Sequence, residues 1–97
     1  MQMYAILRRK GWRTAADLEE AAGRSTVEGD AMPDDIAWIR SYVLAEDDGS
    51  VGTVCIYMAS SPEAVREHAQ RAGLPADEVI PVADTVIVRP DPTPAAA

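Results

Sequence analysis

The chain carries one cysteine and one histidine among its 97 residues. A lone cysteine excludes an internal disulfide. It also excludes an iron–sulfur cluster, which needs several thiolates. No apolar run approaches the ~20 residues of a membrane-spanning helix. Met1-Gln2-Met3-Tyr4 has neither the charged region nor the apolar core of a signal peptide, so a cytoplasmic location is the default expectation. Positive charge is also scarce, and the net charge is −7. Nucleic-acid backbones and anionic membranes call for a cationic surface, so neither is an expected partner. There is no Walker loop, no dinucleotide-binding glycine motif, no C-x-x-C pair and no nucleophile elbow.

What remains is an ordinary globular composition, 47% hydrophobic and 26% charged. The length suits one domain with a small core, which dimerisation would enlarge. We expect that domain over residues 1–90, followed by a Pro/Ala-rich flexible tail over 91–97.

Tyr4 to Arg9 reads as a first strand, ended by Gly11. Arg8, Arg9, Lys10 and Arg13 form a basic cluster, read as a solvated strand end or the rim of an anion site. Thr14 is a good helix N-cap, with Asp17 three residues on. Leu18, Ala21, Ala22 and Ser25 recur at helical spacing, which predicts a helix from Thr14 to about Met32. Ile36–Ala45 alternates and is rich in aromatic and β-branched residues, a second strand. Asp47-Asp48-Gly49-Ser50 is a hairpin turn sequence. Val51–Ala59 is the third strand. Ser61 as N-cap, Pro62 at the first helical position and Gly73 as terminator bound a second helix through Ala72. Glu78–Val88 reads as a fourth strand, with Pro81 marking an edge or a bulge.

The order β-α-β-β-α-β predicts an α+β, ferredoxin-like sandwich: a four-stranded antiparallel sheet with both helices on one face. Strand side chains alternate between faces. Aliphatic Val54, Ile56 and Met58 are expected under the helices, with Ile39, Ser41 and Val43. That leaves Trp38, Arg40, Tyr42, Cys55 and Tyr57 on the uncovered face. There they would form a homodimer interface, a ligand pocket, or both.

His68 borders the apolar stripe of the second helix formed by Val65, Ala69 and Ala72. It is expected to face the sheet, on the opposite side from Cys55. Imidazole suits nickel, copper and zinc, so His68 with Glu67 and Glu63 is a candidate metal site. The alternative is a buried histidine bonded to a hydroxyl or carbonyl. Cys55 reads either as a small inert hydrophobe or as a soft-metal ligand. Glu46-Asp47-Asp48 and Asp34-Asp35 read as solvated turns.

Four segments carry a family resemblance: W-I-R-S-Y-V (Trp38–Val43), C-I-Y (Cys55–Tyr57), S-P-E-A-V-R-E-H-A-Q-R-A-G-L-P-A-D (Ser61–Asp77) and D-T-V-I-V-R-P-D-P (Asp84–Pro92). They resemble a small bacterial domain-of-unknown-function family whose best described members are nickel-binding ferredoxin-like proteins. The resemblance spans Tyr4 to about Asp91. It implies self-association and binding of nickel or a similar divalent ion, with His68 carried over first and Cys55, Tyr42 and Glu67 behind it.

The leading expectation is therefore a non-catalytic binding protein for nickel or a related metal. Two others stand beside it: a small-molecule pocket of isomerase or cofactor-free oxygenase type on the open face of a dimer, and a protein-interaction module.

Overall fold

Thr14 and Ser61 start the two helices as their side chains allow. Thr14 Oγ1 accepts from the Asp17 N–H at 3.1 Å, and Ser61 Oγ accepts from the Ala64 N–H at 3.1 Å. The computed structural model describes residues 1–92. Its elements are β1 (Gln2–Trp12), α1 (Ala15–Asp30), β2 (Ile36–Ala45), β3 (Val51–Ala59), α2 (Pro62–Ala72) and β4 (Glu78–Pro81). The sheet order is β2-β3-β1-β4, with every neighbouring pair antiparallel. This is the ferredoxin-like α+β sandwich. α2 closes on Gly73, whose φ of 68° is the left-handed cap that glycine supplies without a Cβ clash.

Two strand ends differ from expectation. β1 runs on to Trp12 through an irregularity between Arg8 and Trp12, where Lys10 takes a φ of 50°. β4 stops at Pro81 rather than Val88. It pairs antiparallel with β1, Tyr4 opposite Pro81, and β1 begins at Gln2. After Val82 N–H donates to Met3 O at 2.9 Å, no strand is left to pair with. Residues 83–92 run on without regular secondary structure. Of the expected tail, residues 93–97 lie outside the described residues.

The faces of the sheet correct the alternation argument. On β3, Thr53, Cys55 and Tyr57 are the buried set, while Val54, Ile56 and Met58 are only half-buried. Tyr57 is 1% exposed and touches both helices: its hydroxyl bonds Ser25 of α1, and its ring lies 5.5 Å from that of His68 on α2. The helix-covered face of β3 is thus the polar-aromatic one. The aliphatic set faces the other way because α1 and α2 present small and polar groups to the sheet. Ala21 and Ser25 are buried on α1, and Ala64, Ala69, Ala72 and His68 are buried on α2 with Val65. Small helix residues leave a deep gap, which large aromatics with hydrogen-bonding tips can fill.

β2 adds a second effect. Trp38 pairs with Tyr57 and Arg40 with Ile56, so Ile39 is an extra residue. The bulge puts Trp38, Ser41 and Val43 on the helix side together, and Arg40 and Tyr42 on the open side. The five residues expected on one open face are therefore split. Only Arg40 and Tyr42 lie there. Trp38, Cys55 and Tyr57 lie beneath the helix layer.

Candidate ligand pocket

Beneath α1 the sheet carries Tyr4, Ile6 and Arg8 on β1, beside Tyr57, Cys55 and Thr53 on β3 in direct register. Burial continues along β1 to Arg8, which is 1% exposed. Its Nη1 donates to the Pro75 carbonyl at 2.5 Å. Its Nη2 has no hydrogen-bond partner among the described residues. A guanidinium remains a cation in proteins, so it cannot escape burial by losing a proton. An uncompensated buried charge costs several kcal/mol.

Arg8 lines a cavity of about 170 Å³ between α1 and the sheet. Leu18, Ala21, Ala22 and Ser25 of α1 form its roof, and Thr53, Cys55 and Tyr57 its floor. Trp12 and Leu74 close one side. Trp38, Ser41 and Val43 of the edge strand β2 form the other side, where Trp38 is 40% exposed and Val43 59%. The cavity therefore reaches solvent at the β2 edge, where the helix layer ends.

The polar groups of the floor are held in place. Trp38 stacks on Tyr57 with centroids 5.9 Å apart, and its Nε1 donates to Ser41 Oγ at 2.8 Å. Ser25 Oγ and the Tyr57 hydroxyl are 3.0 Å apart. Burial pushes the Tyr57 phenol above its usual pKa, opposed by the Ser25 hydrogen bond and by the Arg8 guanidinium, through both its charge and its approach to the Tyr57 hydroxyl. The Cys55 thiol donates to Thr53 Oγ1 at 3.3 Å.

The neighbouring basic residues are not a free rim. Glu46, 9% exposed, accepts from Arg9 Nε at 3.0 Å, from Arg9 Nη2 at 2.7 Å and from the Lys10 backbone N–H at 2.7 Å. These bonds hold its carboxyl below the usual range, the Arg9 side chain contributing most. Glu46 is thus a clamp on the β1 irregularity, not a solvated turn acid. Gly52 of β3 makes room for it: a Cβ there would stand 2.6 Å from Arg8 O and 2.8 Å from Glu46 Oε2.

The metal candidates are dispersed. His68 is 1% exposed, and its Nε2 lies 3.0 Å from the Ser25 carbonyl. A carbonyl only accepts, so Nε2 carries a proton. Nδ1 has no partner among the described residues. Glu67 is exposed and paired with Arg71 at 3.0 Å. Cys55 and His68 both lie on the helix-covered side, contrary to the expectation of opposite faces. Yet no three His, Cys, Asp or Glu side chains among the described residues are grouped to hold a metal ion. Within one chain, these residues do not fit a nickel site.

On the open face, Arg40 Nη1 and the Tyr42 hydroxyl both donate to Asp91, at 2.8 Å each to Oδ2. The bond from Tyr42, then that from Arg40, lowers the Asp91 carboxyl from its usual pKa. Met3, Arg40, Tyr42 and Ile56, with Val82 and residues 84–87 and 89–91, enclose a larger hollow of about 650 Å³. The expected open-face pocket thus exists as a space, but its named polar groups are already bonded within the chain.

Arg8, read in the sequence only as part of a basic strand end or anion rim, joins Ser25 and Thr53, which were not named as site residues. The i, i+2 series Tyr4, Ile6, Arg8 was the signal for the first of them.

Fold and site define a small ferredoxin-like α+β domain with a preformed internal pocket. A family model described as "Nickel responsive protein SCO4226-like" matches residues 4–82. The chain belongs to this SCO4226-like family. The crystal structure of SCO4226 from Streptomyces coelicolor A3(2) is similar with a TM-score of 0.66 at 24% identity. That match covers 87% of this chain and 99% of the other. It supports the fold. No curated protein matches the chain.

Proposed function

We propose that the protein is a non-catalytic binding protein whose ligand occupies the cavity beneath α1. The observation that carries this reading is a cavity of about 170 Å³ lined in part by the buried Arg8, one of whose guanidinium nitrogens has no partner among the described residues. Apolar cavities of about 150 Å³ accept a single aromatic ring. Nothing near Arg8 resembles a reaction centre: the Cys55 thiol donates to Thr53 and His68 to a backbone carbonyl, so neither activates the other. The test is an NMR titration of ¹⁵N-labelled protein with benzene. Saturable shifts at Ala22, Cys55 and Thr53 are expected. Shifts confined to the open face, around Arg40 and Tyr42, would overturn the reading.

A second reading has its own support. The family is described as nickel-responsive, and His68 Nδ1 is a ring nitrogen with no partner among the described residues. One imidazole is a single ligand, so nickel binding at His68 needs further donors, which the described residues do not group around it. Calorimetric titration of nickel, zinc and copper into tag-free protein, with His68→Ala and His68→Gln beside it, tests this. Binding lost in both variants supports it; binding unchanged in both refutes it.

Self-association through the open sheet face is a separate proposal, since the Arg8 cavity and His68 both lie on the helix-covered side. Met3, Ala5, Leu7, Val54, Ile56 and Met58 are half-buried there, and Val86, Ile87 and Val88 are 74–85% exposed. Apolar surface of this kind favours a second copy. Sedimentation velocity on the full chain tests it: a dimer supports the proposal, and a monomer at high concentration rejects it.

A further inference from the structure

On the pocket reading above, we propose that the ligand is a small monoanion with an apolar body: an aryl or short-chain carboxylate accepting from Arg8 Nη2. Four of the chain's other arginines, Arg9, Arg24, Arg40 and Arg71, are exposed and each has an acidic partner. Arg8 is the most buried residue with a formal charge, and no carboxylate among the described residues pairs with it. The chain has acids in excess, at a net −7, so the missing counter-charge is a local feature of the cavity. A ligand that carries a negative charge into the cavity supplies what the fold omits.

A second donor stands beside the first. Thr53 faces Arg8 across the β1–β3 pair. Its Oγ1 accepts from the Cys55 thiol, which leaves the hydroxyl proton free to donate. Arg8 Nη2 and the Thr53 hydroxyl together offer two donors from one wall, enough for the two oxygens of a carboxylate. Much of the rest of the lining, including Leu18, Ala21, Ala22 and Leu74, is apolar and suits a hydrocarbon body.

Charge and size narrow the class. One guanidinium balances one negative charge; a dicarboxylate or a phosphate dianion would leave a second charge buried without a partner. The volume admits one ring or a chain of a few carbons.

The test is calorimetric titration of tag-free full chain, in a buffer without carboxylates, with benzoate, its neutral isostere benzamide, and benzene. Benzoate should bind about tenfold or more tighter than benzamide, as a charged hydrogen bond in a dry site requires. Arg8→Met should abolish that preference while benzamide still binds. Thr53→Val, which keeps shape and removes the hydroxyl, should weaken benzoate and spare benzamide, and it decides the matter if Arg8→Met does not fold. Equal binding of benzoate and benzamide in wild type overturns the carboxylate assignment and leaves the pocket standing. Binding by none of the three overturns the pocket as well.

Discussion

Replacing Gly52 by alanine puts the architecture around Arg8 to a direct test. The glycine sits in β3 opposite the β1 irregularity. An added Cβ would lie 2.6 Å from Arg8 O, 2.8 Å from Glu46 Oε2 and 3.0 Å from Lys10 N. Two of these are backbone atoms of a paired strand, which cannot swing aside. The third belongs to a carboxylate fixed by Arg9 and by the Lys10 N–H. Relief must come from opening the β1–β3 pair or expelling Glu46. Overpacking of this kind costs about 1–3 kcal/mol, and the Glu46 clamp is lost with it. At ~4–8 °C per kcal/mol for a domain of this size, Gly52→Ala should melt about 4–24 °C lower. Gly23→Ala is the matched control. A Cβ at Gly23, inside α1, meets nothing within 4 Å, so helix propensity should raise stability by roughly 0.5–1 kcal/mol. Thermal unfolding followed by circular dichroism reads both. If the two variants melt within 2 °C or so of wild type, the steric account of the β1 irregularity is wrong.

Other expectations follow from single contacts. Tyr57→Phe leaves Ser25 Oγ without its buried partner and should cost about 1–3 kcal/mol, while adding Ser25→Ala should return part of that loss in urea unfolding. Glu46 is held below its ordinary pKa in the folded protein. Its contribution is therefore fully present above the unfolded glutamate value of about 4.3, and fades as pH falls through the lower folded value. Glu46→Gln should flatten the acid limb of the stability profile, and an unchanged slope would contradict the clamp. Asp91→Asn weakens the tie between residues 82–91 and the open face. Faster amide exchange along residues 82–91 is expected, with no effect at the Arg8 cavity.

The sequence spoke most clearly where local chemistry decides. Ser61, Pro62 and Gly73 bound α2 as expected, and Asp47-Asp48-Gly49-Ser50 joins β2 to β3 at the expected residues. These signals act within a few residues of themselves. The faces of the sheet depend on what the helices offer. The rule that aliphatic strand sets lie under helices failed because Ser25 and His68 provide partners for the Tyr57 side chain there. The β2 bulge at Ile39 has no turn residue to announce it, and it moves Trp38 relative to Arg40. The length of β4 was set by where β1 begins, a property of its partner. His68 was placed correctly against the sheet, but its bond to the Ser25 carbonyl comes from a residue 43 positions away. Arg8 looked like part of a basic strand end, although its i, i+2 spacing from Tyr4 and Ile6 is what turns it inward.

The most direct test of the account is a crystal structure of the tag-free protein grown with benzoate. The account expects a ring between α1 and β3, near Ala22 and Cys55, with its carboxylate on Arg8 Nη2 and the Thr53 hydroxyl. Benzoate bound instead beside Arg40 and Tyr42, with only water on Arg8, would contradict it.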